Sequence, residues 1–148
     1  MMYEFPLSER LRNLLRLEEL FARMALFGKR EAAADHHVAL TAIFDVLAMS
    51  GRGDLKSELL QELDRQRNVL TSFRDNPAVA ADRLEQTIDV LQRARHNLST
   101  LAGKPGQALL EHEWLMSVRA RASVPGGACP FDLPSYHAWQ QKSPEQRL

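Results

Sequence analysis

The chain has 148 residues, enough for a single continuous hydrophobic core. Its 19 basic residues balance 19 acidic ones, which excludes a global field that would draw it onto nucleic acid or acidic lipid and makes any basic site a local one. A lone cysteine excludes an intrachain disulfide framework, and no apolar run reaches the length of a membrane span.

The start, MMYEFPLSER, has no apolar signal core, so the expectation is a soluble intracellular protein. Pro6-Leu7-Ser8 introduces a first helix with Ser8 as its N-cap, and Gly28 ends it. Leu7, Leu11, Leu14, Leu17, Phe21 and Met24 recur at steps of three or four and are expected inward, with Arg12, Arg16, Glu19 and Arg23 on the opposite ridge. A second helix is predicted from Ala33 to Met49, with Ala39, Ile43, Val46 and Leu47 inward. Gly51-Arg52-Gly53 breaks it. Asp54 then caps a third helix with a stripe of Leu55, Leu59, Leu63, Leu70 and Phe73, interrupted at Gln66. After Asn76-Pro77, a fourth helix runs from Val79 to Ala102 on Leu84, Ile88, Leu91, Ala94, Leu98 and Leu101. The short turn between these two helices suits a long antiparallel pair.

Gly103-Lys104-Pro105-Gly106 is a break, followed by a fifth helix from Gln107 to Ala122, apolar at Leu110, Trp114, Leu115 and Val118. Arg119 and Arg121 fall in its last turn, where cations complement the helix dipole. Pro125 stops it. In the following Pro/Gly-rich segment, Phe131, Leu133, Tyr136 and Trp139 are expected to anchor back onto the bundle. Pro134 opens a short helix, and Ser143-Pro144-Glu145 opens another that the sequence leaves unfinished: its last turn frays, or the chain is a piece of something longer. No stretch alternates as a strand, so the fold class is all-α, a helical bundle with the Pro/Gly-rich segment packed on it.

Few residues suggest catalysis or metal binding. Asp35-His36-His37 places neighbouring imidazoles about 100° apart on a helix, a poor arrangement for one ion, and Glu111-His112-Glu113 lacks a second histidine one turn away. Cys129 and His137 would make a thiol–imidazole pair, but nothing orients it, and free cysteine ordinarily packs. Gly126-Gly127 is no phosphate loop. No cofactor or metal follows from these residues. What stands out is a local basic set, Arg119, Arg121, Lys142 and Arg16, with Tyr136 and Trp139 nearby in sequence. Arginine pairs bidentately with carboxylates, so such a set suits an acidic peptide.

The segment SVPGGACPFDLPSYHAW (123–139), with SELLQELDRQ (57–66) and FPLSERLRNLLRLE (5–18), resembles the ZapD family of bacterial division proteins across the whole chain. The resemblance implies a cytoplasmic, non-enzymatic protein at the division septum. It implies a homodimer that binds the C-terminal tail of FtsZ and crosslinks or bundles its filaments, without binding nucleic acid or membrane. By matched position it implies a partner-binding set of Arg16, Arg119, Arg121 and His137. It also implies that residues 1–148 are a single α-helical domain, with the family's following β-strand domain absent from this span. Glu113 stands where some relatives would carry a basic residue, and a carboxylate beside the arginines would weaken an acidic ligand. Two other readings stand beside this one: a dimerisation scaffold whose recognition lies on the β portion, and a small enzyme using Cys129 and His137.

Overall fold

The computed structural model describes residues 5, 8–51, 55–103 and 105–147. The expected break at Arg52–Gly53 and the cap at Asp54 lie outside them, as do Pro6, Leu7 and Lys104. Among the described residues there are eight helices and no strand: α1 Glu9–Gly28, α2 Ala33–Ser50, α3 Leu55–Thr71, α4 Ala81–Thr100, α5 Gln107–Leu110, α6 Glu113–Ala122, α7 Pro134–Gln140 and α8 Pro144–Arg147. The all-α reading holds. The chain divides into two compact units, one of Met1–Gly51 with Gly106–Leu148 and one of Arg52–Pro105.

The second unit is α3 packed on α4. Arg74 donates to both carboxylate oxygens of Glu85 at 2.7 and 2.9 Å, Arg95 Nε donates to Asp64 at 2.8 Å, and Lys56 Nζ donates to the Leu101 carbonyl at 2.6 Å. The links climb one helix as they descend the other, so the two run antiparallel. The mutual hydrogen bond holds the Glu85 carboxyl below the usual carboxylate range and raises Arg74, but both are exposed and the pair contributes little. Leu84 and Ile88 are buried, whereas no residue of α3 is fully buried and Phe73 is exposed. A pair of helices covers the seam between them and leaves the flanks of each stripe half-covered.

In the first unit Ser8 caps α1 as expected, accepting from the Leu11 amide at 3.2 Å. The inward face differs from the expected one. Leu17 and Leu20 are buried, while Leu11 and Phe21 are 46% and 54% exposed. Leucines at 11, 14, 15, 17 and 20 satisfy helical spacing on two faces, and packing on α2 selects one of them. In α2 the buried residues are His36, Ala42, Phe44 and Leu47, not the full set Ala39, Ile43, Val46 and Leu47. The predicted fifth helix is two. Its backbone turns extended at His112, whose Nδ1 accepts from the Leu115 amide and caps α6 anew.

The core joins Phe44 of α2, Leu115 and Val118 of α6, Leu133, and Tyr136 of α7. Leu133, Tyr136 and the half-buried Trp139 anchor the Pro/Gly-rich segment, but Phe131 does not: it is 81% exposed. The segment folds over the C-terminal end of α6. The Val124 amide donates to the Arg121 carbonyl, the Gly127 amide to Val124, and the Cys129 amide to Gly126, at 2.9, 2.9 and 3.1 Å. Gly126 has φ +72°, which glycine adopts without steric cost. Gly127 is buried, and a Cβ there would lie 2.4 Å from the Arg121 carbonyl oxygen, a backbone atom that cannot step aside. Gly127→Ala should therefore cost about 1–3 kcal/mol of stability, read as a lower urea midpoint. Gly28→Ala, which meets nothing within 4 Å, should leave the midpoint unchanged or raise it. Equal midpoints for the two variants would contradict this packing.

Candidate functional site

The site is built where α2, α6 and α7 meet. Pro134 at the first helical position starts α7 and delivers Tyr136 into the core, where it is 1% exposed. A buried phenol needs a partner. The Tyr136 hydroxyl lies 2.5 Å from His37 Nδ1 on α2, and the Gln140 side chain bonds it as well. The Tyr136 ring stacks on Trp139 (5.4 Å between centroids, 18° between planes), and Trp114 of α6 lies 5.7 Å from Trp139. Burial pushes the Tyr136 phenol up to about 12, against a smaller opposing pull from Gln140.

The other residues of Asp35-His36-His37 are also spoken for by protein groups. Asp35 pairs with Arg30 at 3.4 Å. His36 is buried, and its Nδ1 accepts from Arg147 Nε at 3.0 Å. Because a guanidinium only donates, the imidazole proton sits on Nε2, which has no partner among the described residues. Arg147 also donates to the carbonyls of Gln140, Lys142 and Glu31, stapling α8 to the start of α2 and the end of α7.

The four residues singled out for partner binding fall in different settings. Arg16 is exposed on α1 and hydrogen-bonded to Glu9 and Asn13, both at 3.1 Å. Arg119 and Arg121 occupy the last turn of α6. Two residues apart, they diverge by roughly 200° around the helix. Arg119 is half-buried and turned to a groove against α2, while Arg121 is exposed. Neither guanidinium has a hydrogen bond or ion pair among the described residues, in contrast to Arg12, Arg16, Arg23, Arg30 and Arg147. His137 is exposed on α7. No hydrogen bond, ion pair or ring contact joins any two of the four among the described residues. Glu113 is not beside the arginines: it opens α6, about 9 Å of helix rise from Arg119, where an acidic residue suits the helix dipole. The imidazole that borders a hollow with Cys129 is His37, already bonded to Tyr136, rather than His137.

The groove beside Arg119 encloses about 200 Å³ and is lined from α2 by Thr41, Phe44, Asp45 and Ala48. Sequence reasoning missed these residues, although Thr41, Phe44 and Ala48 recur at steps of three and four.

A family model described as a cell division protein, ZapD, matches residues 15–148. The chain belongs to the ZapD family. It is 54% identical over 145 residues to the cell division protein ZapD of Aromatoleum aromaticum and 52% identical over 145 residues to that of an Azoarcus species, in each case across 98% of the chain. The chain spans 57% and 58% of the length of these two ZapD proteins. Among the described residues no helix is long and apolar enough to cross a membrane.

The Tyr136 anchor has a pH signature. Its folded pKa, about 12, lies above the ordinary phenol value of 10. The neutral form therefore stabilises the fold fully below about pH 10, and that stability is lost as pH rises toward 12. In a Tyr3→Phe variant, absorbance at 295 nm should show Tyr136 ionising near pH 12, with the urea midpoint falling between pH 10 and 12. A folded chain whose remaining tyrosine titrates at pH 10 would contradict the buried hydrogen-bonded phenol.

Proposed function

We propose that this chain acts in cell division by binding the C-terminal tail of FtsZ, and that paired copies crosslink or bundle FtsZ filaments in the cytoplasm at the division site. The observation that carries the reading is the end of α6. In a chain of a cell division family, Arg119 and Arg121 have guanidinium groups without a partner among the described residues, and Arg119 borders a groove floored by Phe44, Ala48 and Ala122. Charge alone is weak at a surface, about 0–1 kcal/mol per exposed pair. An apolar groove next to the cations adds the burial that a peptide site needs. Arg16 joins by exchanging Glu9 and Asn13 for a ligand carboxylate, and His137 adds an exposed ring on α7. The role is one of binding rather than catalysis. In a homodimer two such sites raise effective concentration along a filament, so a weak contact suffices.

A second reading is favoured by the length of the relatives, of which this chain spans 57–58%. In it, residues 1–148 are a helical dimerisation scaffold and recognition lies in the portion the relatives have beyond this span.

Fluorescence anisotropy of a labelled FtsZ tail peptide separates the two. The wild-type chain should bind saturably and more weakly as salt rises. The Arg119→Glu/Arg121→Glu variant should bind at least about tenfold more weakly, 1.4 kcal/mol, while keeping its helical circular dichroism. Salt-independent binding, or an unchanged double mutant, would overturn the electrostatic site. A folded chain that dimerises in sedimentation but ignores the peptide would establish the scaffold reading instead.

A further inference from the structure

Two hollows adjoin at the C-terminal end of α6. The smaller is the 200 Å³ groove between Asp45 and Arg119, and the larger, about 500 Å³, lies between His37 of α2 and the turn running from Val124 to Cys129. Ala122 and Ser123 line both, so a single ridge separates them. The two differ in character. Asp45 and Arg119 border the smaller hollow with opposite charges, yet they form no ion pair with each other or with any other described residue. Phe44, Ala48 and Ala122 supply apolar surface between them. The larger hollow has no Asp, Glu, Lys or Arg in its described lining. His37 has its Nδ1 engaged by Tyr136, and Val124, Pro125, Ala128 and Cys129 are apolar or weakly polar.

The arrangement narrows the chemistry of an occupant. A wholly acidic segment would be attracted by Arg119 and repelled by Asp45, and a wholly basic one the reverse. A segment with one charge of each sign satisfies both walls and leaves neither side chain facing a like charge. A volume of 200 Å³ holds one apolar side chain between those two contacts. The ridge at Ser123 is exposed, so an extended chain passes over it without displacing the fold.

We propose that a partner peptide crosses the end of α6 through both hollows, with an acidic residue on Arg119, a basic residue on Asp45 and an apolar side chain between them, and with a second apolar side chain in the hollow bordered by His37 and Cys129. This deepens the reading above, on which it rests, by fixing the footprint and charge pattern of the FtsZ tail. Asp45 is then a specificity determinant that selects against purely acidic peptides.

The test uses the labelled tail peptide with the wild-type chain and three variants. Ser123→Trp fills the ridge common to both hollows. Ser117→Trp puts the same bulk at an exposed position of α6 that lines neither hollow, since each serine makes only a local bond to a carbonyl three residues back. Asp45→Lys reverses one wall. Binding should fall at least tenfold in Ser123→Trp and Asp45→Lys and stay within twofold of wild type in Ser117→Trp. A peptide whose basic residues are replaced by glutamate should bind Asp45→Lys better than it binds wild type. If wild type binds and neither Ser123→Trp nor Asp45→Lys differs from it, the footprint is wrong while the tail-binding reading survives. Tighter binding of the tail by Asp45→Lys would mean a purely acidic occupant and overturn the charge pattern. If Ser123→Trp turns a dimer into a monomer in sedimentation, the hollows hold a second copy of the chain and the proposal fails. If wild type does not bind at all, the footprint and the tail-binding reading fall together.

Discussion

The bond between the buried Tyr136 hydroxyl and His37 is the constraint on which the first unit turns. It links α7 to α2, elements 99 residues apart in sequence, and removes the cost of burying a phenol. With Tyr136 fixed, Trp139 and Trp114 pack around it, and the turn from Val124 to Leu133 is held at both ends. That turn closes over the last carbonyls of α6 with room for glycine alone at 127. The result is a rigid end to α6. Arg119 is thus carried on a helix end held by packing and hydrogen bonds, which lowers the cost of ordering it for a ligand.

That rigidity gives the unpaired charges their meaning. Arg147 is consumed by four acceptors, and Arg12, Arg16 and Arg23 of α1 by neighbouring carboxylates. Arg119 and Asp45 stand on the two walls of one groove without closing on each other. On the proposed reading, such a pair recognises a short peptide bearing both signs. It also fits a chain whose total charge is zero, since a neutral protein can discriminate only through local arrangement.

Much of the fold was legible because its signals are local. Ser8 as a cap, Pro134 and Pro144 as first helical residues, and the stop before Pro125 are rules about a residue and its near neighbours, and each holds. Choices between faces were not legible. α1 and α2 each carry two apolar stripes with valid spacing, and only the neighbouring helix decides which is buried. The split between α5 and α6 depends on the His112 ring turning back onto an amide, which composition does not announce. At the site, the arginine positions were visible as a cluster in sequence. The azimuth that separates Arg119 from Arg121, and the α2 wall at Asp45, appear only once α2 and α6 are packed.

The account places recognition on the α2–α6 face of the first unit, and amide chemical-shift mapping of the labelled chain with an FtsZ tail peptide tests that most directly. It predicts that perturbations concentrate at residues 41–48 and 119–129, with 55–101 unaffected. Perturbations confined to 55–101, or spread evenly over both units, would contradict it.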